Sequence, residues 1–230
     1  MKQYNYLIPI ILMLVLGLVV FFFVLTGRIT FAHNEKTNYS FRNRFPHELF
    51  YQKNVEIVSY FRIFLIFLAG LCIAIPIFFA TSFTGPSNLA FSFLVAFFFV
   101  AGSVVDFILF FLQPKHLKQF QFYATLAFAF MMIANGTLGT LLLSSLFTHF
   151  SYKIIAGVAL VLAIFNLLMA LNPKLKKWDR LEQSKNPDGT ISYVRPQISP
   201  LAFSLWLNFL TLVLANILLL TTVLLIALNF

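Results

Sequence analysis

One acidic side chain stands inside an apolar stretch of this 230-residue chain: Asp106, within residues 89–113. A charge in hydrocarbon costs at least about 2.5–3.5 kcal/mol on lenient scales, so a proton or a partner must accompany it. Two residues offer themselves. Ser103 lies one helical turn earlier on the same face, and Arg62 enters the preceding apolar stretch from the same side. Three readings of Asp106 follow: a structural pair with Arg62 or Ser103, a protonatable coupling site in a transport path, or a contact with a partner subunit or lipid head group. The apolar stretches hold no second carboxylate or histidine to pass a proton on.

A second set of reactive side chains, Arg42, Arg44, His47, Glu48 and Lys53, lies between the first two apolar stretches. It combines phosphate-binding cations with acid–base groups, the chemistry an enzyme acting on a phospholipid or polyprenyl phosphate needs. The same cations also suit head-group or partner contact without any turnover. The four histidines, His33, His47, His116 and His149, show no HExxH or i, i+4 arrangement, so no metal site is expected. Phosphate-loop and nucleophile-elbow patterns are missing, as are paired carboxylates. No catalytic residue and no cofactor is assigned.

Amides mark a third set: Asn135, Asn166, Asn208 and Asn216. Asn166 shares a helical stripe with Ala159, Ala163 and Ala170, and Asn208 with Thr211, Ala215 and Thr222. Asn135 is one turn from Gly139, and Gly70 one turn from Ala74. Small and polar stripes let helices approach closely and hydrogen-bond across. The four amides either serve that packing or line a polar cavity.

The elements that must position these residues follow from composition. Hydrophobic residues make up 60% of the chain and charged ones 10%, with a mean hydropathy of +0.91. Soluble domains carry about 25% charged residues. Six apolar spans appear, at about 6–26, 58–80, 89–113, 121–147, 153–171 and 201–228. Each reaches the roughly 17–25 residues that cross a bilayer as a helix, and backbone satisfaction in lipid demands helices here. The first span is too long for a signal-peptide core and ends in Gly27-Arg28, so it is expected to be retained. The fold class is an all-α polytopic bundle, one transmembrane domain over residues 1–230.

Lys and Arg crowd the loops at 27–57, around 115–118 and at 172–200, whereas the opposite side holds only Lys2 and Lys153. The positive-inside rule then makes loops 1–2, 3–4 and 5–6 cytoplasmic and both termini extracytoplasmic. The net charge of +9 is spent beside the membrane, so the expected partner is an anionic inner leaflet and not nucleic acid. In loop 1–2, Pro46 predicts the start of a short interfacial helix, with Ile29–Phe41 irregular or a short hairpin. In loop 5–6, Lys174, Lys176, Lys177 and Arg180 surround the anchor Trp178, and Asn186-Pro187-Asp188-Gly189 predicts a hairpin turn before Arg195. That loop is either a solvated connector or a docking element for a protein partner.

Cys72 is the single cysteine, so no intrachain disulfide forms. Thirty-one Phe against two Trp fits T-rich codons and points to a bacterial plasma membrane. The Phe runs at 21–23, 97–99 and 110–111 read as lipid-facing bulk. The leading functional expectation is a non-catalytic, permease-like or accessory subunit of a larger membrane complex, docking through its cytoplasmic loops. Alternatives are the lipid-phosphate enzyme at the cytoplasmic face and a small proton-coupled carrier using Asp106.

Overall fold

The computed structural model describes residues 6–35, 39–42, 44–50, 55–83, 86–112, 117–144, 147, 149–172, 182–185, 191–194 and 198–228. Its helices are α1 (Leu7–Glu35), α2 (Pro46–Phe50), α3 (Val55–Thr81), α4 (Pro86–Phe111), α5 (Leu117–Leu143), α6 (Phe150–Ala170) and α7 (Pro200–Ala227). Between α6 and α7 lie two short antiparallel strands, β1 (Glu182–Lys185) and β2 (Ile191–Val194), with Glu182 opposite Val194 and Lys185 opposite Ile191. All but α2 are long and apolar enough to cross a membrane, six in number. The chain is a multi-pass helical membrane protein.

Helix ends follow local chemistry. Pro9 sits in the first turn of α1, where its missing N–H leaves no bond unmade. Pro46 and Pro200 open α2 and α7 at the first helical position. The His149 ring accepts from the Ser151 N–H at 3.4 Å, capping α6 three residues earlier than the apolar run suggests. α1 departs furthest from expectation. It does not stop at Thr26 but continues to Glu35, so Ile29–Glu35 is helical and neither irregular nor a hairpin. Thr30 and Phe31 are buried along this extension, and that packing holds the extra turns.

The helices α1, α3, α4, α5 and α6 pack in that order as a crescent that does not close between α1 and α6. α7 runs through the middle, against α1, α3, α5 and α6, with side chains of α4 reaching it as well. The remaining face of α7, which includes Phe203, Leu210, Leu214 and Ile217, is exposed between α1 and α6. Lipid tails are as apolar as the side chains, so close van der Waals fit and hydrogen bonds hold such helices together.

The small-residue stripes are used unevenly. Ala159, Ala163 and Asn166 are buried on α6, as are Asn208, Thr211, Ala215 and Thr222 on α7. A Cβ added to Gly139 would meet Leu160 Cγ at 2.7 Å and the Ala156 carbonyl at 3.3 Å, so α5 and α6 touch there. Gly70, by contrast, faces open space. Gly139→Ala is expected to destabilise the protein by about 1–3 kcal/mol through overpacking. Gly157→Ala, with nothing within 4 Å of the new Cβ, should instead be neutral or stabilising by up to about 1 kcal/mol. Unfolding curves of the two variants in detergent check the contrast.

Each Phe run turns one member inward. Phe23, Phe99 and Phe110 are fully buried, whereas Phe21, Phe97 and Phe111 are exposed. A helix turns about 100° per residue, so adjacent aromatics cannot all face lipid.

Candidate functional site: a polar core and an aromatic plug

Asp106 lies on α4 about 8 Å from that helix's last residue at 1.5 Å per residue, at the end of the bundle that carries the basic loops. It is 4% exposed. Asn208 of α7 donates from Nδ2 to Asp106 Oδ1 at 2.6 Å. Thr211, one turn along α7, donates to the Asn208 carbonyl at 2.7 Å and accepts from Asn166 Nδ2 of α6 at 3.3 Å. One chain of hydrogen bonds, passing through the Asn208 backbone carbonyl, therefore ties α4, α7 and α6. The same low dielectric that makes an unpaired polar group costly strengthens these bonds.

The expected Arg62–Asp106 pair does not form. Ser103 Oγ donates to the Cys72 carbonyl across the α3–α4 contact at 3.2 Å, which levels those two residues. Along the helices from that point, Arg62 lies about 10 Å closer to the basic-loop end than Asp106 does. Its guanidinium turns to that end, where Nη2 donates to the Phe50 carbonyl at 3.1 Å and the group sits 4.5 Å over the Phe50 ring. Ser103 also donates to Phe99 O within α4, at 2.8 Å, and no hydrogen bond joins it to Asp106. The donor that sequence reasoning left unassigned to Asp106 was Asn208, although both residues were singled out.

The four amides do not converge on one cavity through hydrogen bonds. Asn166 and Asn208 join through Thr211, but Asn135 and Asn216 donate at 2.8 Å to carbonyls four residues back on their own helices, Met131 and Leu212. The buried atoms with no hydrogen-bond partner among the described residues include Asp106 Oδ2 and the side-chain oxygens of Asn135, Asn208 and Asn216.

Residues 39–42 and 44–50 form a plug under the same end of the bundle. Trp206 of α7 donates from its indole nitrogen to Tyr39 Oη at 3.2 Å and to the Arg44 carbonyl at 2.9 Å. Rings of Phe23, Tyr39, Phe41, Phe110 and Phe209 pack around that indole, with centroids 4.9–6.5 Å away. The Ser199 N–H donates to the Arg42 carbonyl at 2.9 Å, fastening the plug to the start of α7. Arg44 lies 4.9 Å over the Phe31 ring and pairs with Glu48 at 3.2 Å. Glu48 Oε1 accepts from the Phe45 N–H at 3.4 Å, the one half of a capping box in which the third helical residue reaches back to the residue before the helix.

Among the described residues of the loop 1–2 set, His47 is buried with its ring stacked on Phe45, Glu48 is held by Arg44 and the α2 cap, and Arg42 is exposed. Among the described residues, no three metal-ligating side chains come together. Lys53, Lys174, Lys176, Lys177, Trp178, Arg180 and Arg195 lie outside the described residues, as does the Asn186–Gly189 turn. No family model, curated protein or solved structure matches the chain.

Proposed function

We propose that the protein is a non-catalytic subunit of a larger membrane assembly, oriented with its basic loops in the cytoplasm and docking there through the β1–β2 hairpin and the basic stretch before it. The aromatic plug carries this reading. It closes the basic-loop end of the bundle and uses Arg44, Glu48 and Trp206 to do so, which leaves scaffold chemistry where an enzyme would place acid–base groups. A hairpin between two spans adds an edge for a partner strand.

The test replaces residues 182–194 with a Gly-Ser linker in the full chain and compares native complexes in mild detergent. Loss of a stoichiometric protein partner, with the unfolding temperature of the bundle unchanged, is the expected result. A photocrosslinker at Ser192 should join the native chain to that same partner. A chain that travels alone and complements its deletion without the hairpin contradicts the proposal.

The carrier reading has one observation in its favour, the unpartnered Oδ2 of buried Asp106. It requires proton flux into vesicles under an imposed potential, and requires Asp106→Asn to stop that flux.

A further inference from the structure

Between α1 and α7 runs an apolar groove of about 280 Å³. Val20 and Val24 of α1 form one wall, Trp206 and Leu210 lie along α7, and Phe41 and Phe203 stand at the basic-loop end. Leu210, in its middle, is 51% exposed, so the groove opens sideways to the membrane. Along α7 it runs from Phe203 to Val213, about 15 Å at 1.5 Å per residue. That is the depth of one leaflet, half of a hydrocarbon core about 30 Å thick.

Two cations neighbour the basic-loop end of the groove along the chain. Arg28 is one helical turn beyond Val24 on α1, and Arg42 follows Phe41 in the plug. Both are exposed, and among the described residues no carboxylate pairs with either. Their depth agrees. Arg28 is the first charge within the 26-residue apolar span Leu7–Ala32 of α1, and the residues before it are long enough to cross the core and bring its guanidinium to head-group level. The Arg42 carbonyl accepts from Ser199, the residue before α7, so Arg42 lies at the corresponding level of the neighbouring helix.

We infer that this groove holds one acyl chain of an anionic glycerophospholipid whose phosphate is bound by Arg28 and Arg42. An apolar slot one leaflet deep selects a chain, and two guanidiniums at its mouth select an anionic head group over a zwitterionic one. A partner helix would fill the slot but leave both cations without a counter-charge. The site does not depend on the subunit reading above, and its test involves no protein partner.

The experiment reconstitutes the full chain in vesicles of equal phosphatidylglycerol and phosphatidylcholine, extracts it gently and weighs it intact by native mass spectrometry. One retained phosphatidylglycerol per chain is expected, with phosphatidylcholine at least tenfold rarer. Arg28→Gln with Arg42→Gln should lower phosphatidylglycerol retention at least tenfold at an unchanged unfolding temperature, since both side chains are exposed. Leu210→Trp, which fills the groove and leaves the cations in place, should lower it as well. Lys153→Gln, at the other end of the bundle, should not. Equal retention of the two lipids overturns the inference, as does undiminished retention in both the double variant and Leu210→Trp. So does a crosslink from Leu210 to a second protein chain in place of lipid.

Discussion

Trp206→Ala lowers stability by about 3–5 kcal/mol, the range for deleting a large buried aromatic. The indole packs among Phe23, Tyr39, Phe41, Phe110 and Phe209, so its removal opens a cavity lined by α1, the plug, α4 and α7. It also takes away the indole N–H that donates to the Arg44 carbonyl at 2.9 Å and leaves that oxygen only the Tyr39 hydroxyl, at 3.2 Å. The plug should then open before the bundle does. Limited proteolysis should cut Trp206→Ala within the plug under conditions that leave the native plug whole. Trp206→Phe separates the two effects: it keeps most of the packing and loses the N–H, and should cost about 1 kcal/mol. Equal protease resistance of Trp206→Ala and the native chain would count against the plug.

Asn208→Leu is the second large effect. The leucine fits an apolar helix, but Asp106 loses the amide that donates to it at 2.6 Å and stays buried. A buried acceptor left without its donor costs about 1–3 kcal/mol, and more when it carries charge. The loss should exceed 2 kcal/mol on the upper side of that range. Adding Asp106→Leu to Asn208→Leu should restore most of the stability, because replacing both partners with apolar groups leaves nothing unsatisfied. Unfolding in a fixed detergent reads both variants.

How much of this was legible in the sequence depends on the range of the interaction. The six spans are written in hydropathy, which each segment carries within itself. The α2 start is equally local, because Pro46 suits a first helical position and Glu48 sits where it can cap. The plug was missed since the bonds from Trp206 that fix it to α7 join residues more than 160 positions apart, to Tyr39 and Arg44. Phe31 and Tyr39 belong to the same long-range cluster, and for that reason the extension of α1 past Thr26 was missed too.

The polar core shows a different limit. Asp106, Asn208 and Asn166 were each visible as rare polar groups in apolar helices, and burial of all three is what their cost in lipid demands. Choosing the partner of Asp106 needed the relative depth of α3 and α4. Arg62 looked close only when depth was counted from the helix ends. The Ser103–Cys72 contact sets the depth instead and leaves Arg62 beside Phe50. Polar stripes likewise told which faces pack but not which neighbour they meet, so the fate of Asn135 and Asn216 on their own helices was not readable.

Whether Asp106 is a tie to α7 or half of an ion pair is decided most directly by two double-mutant cycles. One pairs Asp106→Ala with Asn208→Ala, the other Asp106→Ala with Arg62→Ala, both read as unfolding free energies. The predicted result is a coupling of at least about 1 kcal/mol between Asp106 and Asn208, and additivity within about 0.5 kcal/mol between Asp106 and Arg62. Strong coupling to Arg62 with none to Asn208 would contradict the tie.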